Sequence, residues 1–540
     1  MKYFSKKSNI KNTIFLMILG SLLPLSMAPF NYWILGIISV GGFSFLILKN
    51  SAEELSFKLI FFRSFSYAVG LYAVGVSWIF VSIHRYGQAS IELSTILVVL
   101  FIIFLSILFA LPFTVISKLN HLQVPSKSIY KIYCSAFFFL FIFPSLWVIG
   151  EWFRGWVFSG FPWLFIGYPH SDTWLSGWAP VTGVLGISWI IAFCGTLLGF
   201  FLQLKTNIII KDRPARFIFI ITTGSFLLAT FFWVGGLYLQ KINWTKPLNK
   251  TISIGLLQPA ISLWRTWDPK ELNNILFQFR QDSKLLLDND LVVWPEAAIP
   301  IFRNKVSDYL DSITEDAVKS DTAIIVGVPT IYQTQPQSDE IDESNYFNSA
   351  LALGKGLGIY HKQHLVPFGE YVPFEKWLRG GIRFFDLPMS AFSPGPNNQI
   401  NITIKNNITI GTSICYEVAF SELVRKSAND SNILLTMSND SWFGKTIGPK
   451  QHFQIARMRA IENKKALIRA TNDGISALID SNGRVQFTIP SFNRGILEGT
   501  LNARSGSTPF GRSGSYPIII FSLVWILIGL CLKPAIKVSH

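Results

Sequence analysis

At 540 residues, half of them apolar and only 15% charged, the chain has the composition of a membrane protein rather than of a soluble domain or a disordered tail. Its net charge of +15 does not indicate nucleic acid, because lysines and arginines gather in short segments between apolar runs, as the positive-inside rule describes. Four scattered cysteines, with no CxxC pair and no adjoining histidine cluster, predict neither a metal site nor a disulfide framework, and no cofactor is expected.

The amino terminus carries Lys2, Lys6, Lys7 and Lys11 and then IFLMILGSLLPLSMAPF, a stretch like a signal peptide with Ser26-Met27-Ala28 as its cleavage site. A second apolar run, Tyr32 to Leu48, begins almost at once, so the pair is read instead as an uncleaved helical hairpin. Further runs long enough to cross a bilayer lie near Leu59 to Val81, Ile91 to Ile116, Ile132 to Ile149, Val181 to Leu204 and Phe217 to Leu239. The segments holding Lys49/Lys58/Arg63, Lys118/Lys127/Lys131 and Lys205/Lys211/Arg213/Arg216 are basic and should face the cytoplasm, whereas those near Asn31 and His84 are nearly free of lysine. Seven spans that start inside deliver the chain from residue 241 onward to the far side. An eighth, Ile518 to Leu532, returns Lys533 and Lys537.

One outer connection, Glu151 to Trp178, is dense in Trp, Phe and Gly and is broken by Pro162 and Pro169, so it is not a clean span. An interfacial aromatic belt and a substrate-lining segment are both compatible with it. The predicted division is a membrane domain over 1–245, a polar domain over 246–505, and a last transmembrane helix with a tail over 506–540.

From Lys250 to Leu501 short apolar strands alternate with amphipathic helices. Strands are predicted at TISIGLL, LVVWP, TAIIVGVP, SALAL, GIYH, ITIGTSIC, NILLTMS, ALIRAT and SALID, and helices at Lys270 to Leu287, Lys305 to Ser320 and His452 to Lys465. This is an α/β or layered α+β domain. Thr334 to Asn345 reads as a solvated acidic insertion, and Trp377 to Pro396, apolar yet rich in Gly and Pro, as a mobile arm or an ordinary long surface loop.

Three predicted strands run into reactive side chains. LVVWP leads to Glu296, GIYH to Lys362, and NITIGTSICYE contains Cys415, the only thiol outside an apolar run. Ligands collect beyond the carboxyl ends of strands in open sheets, so these three ends can share one site. A thiol with a pKa near about 8.5 needs a base and a nearby cation to act at neutral pH, roles open to Glu296 and Lys362. Each residue alone has an ordinary alternative: a small buried hydrophobe for Cys415, a helix cap for Glu296, a solvated surface charge for Lys362.

WPEAAIP, YHKQHLVPFGEYVPF and SICYE resemble the three signature segments of the nitrilase superfamily. With several spans before this domain and one after it, and with RGWVFSGFPWLFIGY, SLWRTWDP, NDSWFG and RMRAIENKKALIRATNDG elsewhere, the chain is similar to the apolipoprotein N-acyltransferases, the membrane-embedded branch. The resemblance implies an extracytoplasmic αββα sandwich joined to eight helices in the bacterial inner membrane. It implies a Glu296, Lys362, Cys415 triad that moves the sn-1 acyl chain of a phospholipid, phosphatidylethanolamine by expectation, through a thioester. The acceptor would be the α-amine of a lipoprotein's amino-terminal diacylglyceryl-cysteine, and the enzyme would be a monomer. By the same resemblance Glu370 supports Lys362, Tyr416 and Glu417 position the nucleophile, and Trp163, Trp267 and Trp442 line the lipid entrance. Arg459, Arg469, Asn439 and Asn472 match family segments without an assigned role.

A tethered amidase for small amides is the nearest rival, although eight spans are more anchor than a soluble hydrolase needs. A transporter or receptor would carry intramembrane charge, and apart from Arg63 and Glu151 the apolar runs have almost none. A catalytically inactive scaffold would be the third reading, against which the intact triad argues.

Overall fold

A computed structural model describes residues 2–48, 55–119, 129–205, 215–333, 344–373 and 391–531. Most of the predicted acidic insertion and most of the Trp377 to Pro396 arm lie outside these residues. The chain divides into two compact units, Met1–Ser77 with Thr95–Ile242 and Ser513–His540, and Trp78–Ser94 with Asn243–Arg512.

The first unit is helical because its segments are apolar nearly all round and must satisfy their backbone internally. Its helices are α1 (Lys2–Leu22), α2 (Ile34–Leu48), α3 (Phe57–Gly75), α4 (Ile91–Phe113), α5 (Ile129–Arg154), α6 (Ala179–Lys205), α7 (Ala215–Leu239) and, at the other end of the chain, a helix over Tyr516–Cys531. Among the described residues four stretches are long and apolar enough to cross a membrane: Phe57–Gly75, Ile91–Lys118, Trp174–Gln203 and Phe219–Leu239. Ile10–Ser26, Ile34–Ile47 and Tyr516–Cys531 are shorter apolar helices. Large side chains such as Phe219, Phe226 and Leu227 on α7 are more than half exposed, a surface suited to lipid rather than water. Small residues let the helices approach. A Cβ added at Gly70 would lie 1.9 Å from the Met17 carbonyl oxygen, and one at Gly20 the same distance from that of Tyr67, so α1 and α3 meet backbone to backbone.

Arg63 and Glu151 have structural partners. The Arg63 guanidinium donates to the carbonyls of Leu46 and Ile47 (2.7 and 3.3 Å), capping the end of α2. Glu151 accepts from the Trp147 indole (3.0 Å) and the Ile166 amide (2.8 Å), while Arg154 donates to the carbonyls of Phe161 and Trp163. The Trp-rich connection thus folds back as short 3-10 turns, and most of it from Gly160 to Ser171 is buried. From Gly155 to Thr173 it is broken into turns rather than one continuous helix, as predicted, while Trp174–Trp178 joins the apolar stretch that continues into α6.

In the second unit each of the nine predicted strands is present: β1 (Lys246–Gln258), β2 (Leu291–Val293), β3 (Ala323–Gln333), β4 (Ser344–Gly354), β5 (Ile359–His361), β7 (Ile408–Ile414), β8 (Ile433–Ser438), β9 (Leu467–Thr471) and β10 (Ser476–Ile479). Three more were not predicted, β6 (Ile402–Ile404), β11 (Val485–Ile489) and β12 (Gly495–Ser505). They form two six-stranded sheets, in the orders β12-β1-β2-β3-β4-β5 and β11-β10-β9-β8-β7-β6. In each sheet the three inner strands that carry the apolar runs are parallel, β1-β2-β3 and β7-β8-β9, and antiparallel strands close the edges.

Ile254, Leu256, Val293 and Ile325 of one sheet meet Ile410, Ile414, Leu435 and Ile468 of the other in a continuous apolar layer. Outside the first sheet pack α8 (Leu272–Lys284) and α9 (Ser307–Lys319), through Phe279, Leu310 and Ile313. Outside the second pack α10 (Ser421–Asn429) and α11 (Gly448–Asn463), through Val424, Ala456 and Ala460. The order of layers is helix, sheet, sheet, helix: the nitrilase-like α/β domain expected from the sequence.

Gly327 on β3 fixes one functional position. An added Cβ would stand 2.3 Å from the Pro295 carbonyl oxygen and 2.7 Å from the Ala297 amide, backbone atoms that cannot rotate away. The Glu296 turn therefore lies directly on β3, pinned by Ile299 N donating to Gly327 O at 3.1 Å. Gly327→Ala is expected to slow any reaction that depends on Glu296 by more than about tenfold, since displacement of a reacting group by 1 Å is enough for such losses. Wild-type rates at unchanged thermal stability would contradict this.

Candidate active site

The last residue pair of β7 and β8 is Ile414 with Met437, and the chain leaves the sheet at Cys415. Cys415 is half-buried and has φ +53°, a left-handed conformation that costs a non-glycine residue on the order of 1–3 kcal/mol and persists only where its surroundings enforce it. Glu417 is one enforcer. One of its oxygens accepts from the Ile414 amide (2.7 Å), the other from the amides of Gln363 and His364 (2.6 and 3.0 Å), and both meet the Tyr360 hydroxyl. It thereby ties the Cys415 turn to the segment carrying Lys362. Burial pushes the Glu417 carboxyl up to about 7, against the pull of the Ile414 amide and Lys362.

Lys362 follows β5 directly and is 1% exposed, so it is no solvated surface charge. Its ammonium donates to Glu370 Oε1 at 2.7 Å and Glu296 Oε1 at 3.3 Å. Burial alone would pull the Lys362 pKa down, but Glu370 and then Glu296 reverse that and hold it above the ordinary lysine value. The ammonium stays charged.

Glu296 caps no helix. It is buried, with Oε1 also accepting from Asn348 Nδ2 (2.8 Å) and Oε2 from the Asn439 amide (2.8 Å). Glu370 shares Asn348 as a donor (3.1 Å) and accepts from the Val366 amide (2.8 Å). Asn348 was not foreseen. It lies on β4 in register with Ala350 and Ala352, which face the layer between the sheets, and an amide in such a series was the available sign.

Burial, reinforced by Glu296 and opposed by Lys362, pushes the Cys415 thiol well above its ordinary value. The resting site thus holds a thiol and an ammonium, with Glu296 and Glu370 against the ammonium. Such a site can form a thiolate when Glu296 takes the proton, and the Lys362 charge is placed to stabilise developing negative charge.

Tyr416 packs edge-on against Phe420 with centroids 5.0 Å apart, and His364 lies 3.7 Å from Phe420, forming an aromatic rim beside the nucleophile. Trp442, half-buried, accepts through its carbonyl from Ser82 Oγ at 2.7 Å and lies 6.1 Å from the Tyr86 ring. Trp267 ends the short helix Leu263–Thr266 and is also half-buried. Trp163 belongs to the first unit and is buried there. The structure therefore brings Glu296, Lys362, Glu370 and Cys415 together and ties Glu417 to them.

The residues without roles acquire partners. Asn439 supplies the amide to Glu296, and its side chain accepts from the Ser441 amide at 3.3 Å. Asn472 braces that turn through Asn439 Oδ1 and Ser441 Oγ. Arg469 binds Asp440 at 2.8 Å, and Arg459 lies 3.2 Å from Glu462 within α11. Asp473 accepts from Ser441 Oγ at 2.7 Å, and burial pushes its carboxyl up to about 7. Because the folded value exceeds the unfolded one, stability is fully present below about pH 4 and falls as pH rises through 7. Asp473→Asn is expected to flatten that slope and raise stability by about 1–3 kcal/mol at pH 8, read from unfolding midpoints between pH 4 and 8. An unaltered slope would rule this out.

Residues 19–197 match the family model of the apolipoprotein N-acyltransferase N-terminal domain, and residues 255–510 match that of carbon-nitrogen hydrolases. The apolipoprotein N-acyltransferase of Pseudomonas syringae pv. tomato is 40% identical over 513 residues, 94% of this chain and 95% of that protein. That of Coxiella burnetii is 32% identical over 518 residues, 96% and 99% of the two chains. Among solved structures, a carbon-nitrogen hydrolase from Helicobacter pylori G27 superposes with a TM-score of 0.33 and 18% identity, covering 52% of this chain and 94% of its own.

Proposed function

The chain belongs to the apolipoprotein N-acyltransferase family, and from that premise we propose that it moves an acyl chain from a phospholipid to the amino terminus of lipoproteins by way of a thioester on Cys415. One observation supports the reading above the others: a strained, half-buried cysteine stands beside a buried Glu296–Lys362–Glu370 cluster. A tethered amidase is not favoured, because the family match extends through the apolar N-terminal region as well as the hydrolase-like domain.

In the first half-reaction Glu296 takes the Cys415 proton and the thiolate attacks the sn-1 ester carbonyl of the phospholipid, phosphatidylethanolamine in this proposal. Lys362, held by Glu370, balances the oxyanion. Collapse expels the lysophospholipid, whose departing oxygen regains the proton from Glu296, and the acyl chain remains as a thioester. In the second half-reaction the α-amine of the diacylglyceryl-cysteine attacks the thioester and Glu296 accepts an amine proton. The thiolate leaves, recovers that proton, and an amide remains. Water must be kept from the thioester while it waits, which suits a site opening at a lipid surface. Trp267 and Trp442 are proposed to line the lipid path around the catalytic domain, with Trp163 contributing within the first unit only.

In the same reading the eight apolar helices are eight spans, with 1–245 and 506–540 as the membrane region and 246–505 as a catalytic domain on the periplasmic side of the inner membrane. The working unit is a monomer. The basic connections support that orientation. Initial rates measured against phospholipid and a diacylglyceryl lipopeptide together test the two-step scheme. Parallel double-reciprocal lines are expected, and lines that intersect would show that both substrates must be bound at once.

A further inference from the structure

We propose that His452 is a positioning residue for the nucleophile, its Nε2–H donating to the Cys415 carbonyl and holding the left-handed turn from which the thiol is presented. This rests on the reading of Cys415 as the acyl carrier.

The Cys415 φ of +53° is unfavourable without external hold, and Glu417 grips only the amide side of the turn, through Ile414 N. The carbonyl side is gripped by His452, whose Nε2 lies 3.1 Å from Cys415 O. His452 sits on α11, fully buried, and its ring is fixed by a charged network that Arg469 of β9 and Ser438 and Asp440 at the end of β8 supply. Nδ1 is 3.0 Å from Asp440 Oδ1 and 3.1 Å from Arg469 Nη2. Asp440 is itself held by Arg469 Nη2 (2.8 Å) and Ser438 Oγ (2.6 Å). All four side chains are at most 1% exposed.

This network decides which nitrogen carries the proton. The Cys415 carbonyl can only accept, so a favourable contact requires a hydrogen on Nε2. A neutral ring meets that requirement when Nδ1 accepts from Arg469, and a protonated ring meets it when Nδ1 donates to Asp440. Burial and Arg469 favour the neutral form. In both states Nε2 is the donor, so the hold on Cys415 does not depend on the charge of the ring.

A role confined to packing predicts that any side chain of similar size would serve. The hydrogen bond predicts instead that reach matters, and two amides separate the cases. The Gln Nε2 reaches about as far as the imidazole Nε2 and can still bind Cys415 O, whereas the Asn amide reaches only as far as Nδ1.

The test measures the rate of acyl adduct formation with phosphatidylethanolamine and no acceptor, by quenched intact mass, for full-length wild type, His452→Gln and His452→Asn, together with each unfolding midpoint. His452→Asn is expected to slow acylation by about 10- to 100-fold at unchanged phospholipid KM, as displacement of a reacting group does. His452→Gln should stay within about threefold of wild type, because its amide preserves the donor. Equal rates for the two variants would overturn the assignment. So would failure of both to fold, which would make the network a folding element. A wild type that forms no adduct would instead overturn the reading of Cys415 on which the inference stands.

Discussion

Cys415→Ala is expected to lower acyl transfer by a factor on the order of 10⁴ or more, the scale of loss when a covalent nucleophile is removed. No other group in the cluster can replace it. Glu296 and Glu370 are tied to Lys362 and Asn348, and Glu417 is tied to the amides of Ile414, Gln363 and His364. The alanine variant should also fold. Cys415 only borders the apolar layer between the sheets, and its loss removes a partly buried sulfur rather than a core side chain. Activity measured on membranes containing equal amounts of the two proteins checks this. Residual transfer within about tenfold of wild type would remove Cys415 from the mechanism.

The second large effect concerns Lys362→Met, which keeps the length of the side chain and deletes its charge. Glu296 and Glu370 would then be buried with no cation between them, and breaking a buried ion cluster in this way costs about 3–5 kcal/mol. Activity should fall with stability, because the charge that balances the oxyanion is lost as well. The destabilisation has a predictable pH dependence. Two carboxylates deprived of their ammonium gain more by binding protons in the folded state, so the deficit relative to wild type should shrink as pH falls toward 4. A variant equally destabilised at pH 8 and pH 4 would mean that Lys362 contributes through packing rather than charge.

The inner strands of both sheets were legible because parallel strands buried on both faces read as nearly continuous apolar runs. That is why LVV, AIIVGV, ITIGTSI and ILLTMS were recognised and why Glu296 and Cys415, just beyond two of these strands, could be proposed as site residues. β12 was not legible. Its burial alternates irregularly between exposed and buried positions, and it is defined by pairing with β1, some 250 residues earlier in the chain. Glu296, Lys362 and Cys415 were readable as chemistry at strand ends, but that Glu296 caps no helix and that Lys362 is no solvated charge is legible only from their three-dimensional neighbours. Asn348 makes the same point: its role depends on contact with two glutamates, 52 residues before it and 22 after it. His452 opens a predicted helix and Asp440 lies in NDSWFG, and only the fold shows that His452 reaches Cys415 and that Asp440 holds its ring.

The central claim is that Cys415 carries the acyl chain, and intact mass tests it most directly. Purified protein is incubated with phosphatidylethanolamine and no acceptor, beside Cys415→Ala and Glu296→Gln, and then treated with hydroxylamine. The account predicts a gain of one acyl chain in the wild type alone, removed by hydroxylamine and transferred when a diacylglyceryl lipopeptide is added. Transfer to the lipopeptide without any adduct on the wild type, or an adduct that persists in Cys415→Ala, would contradict it.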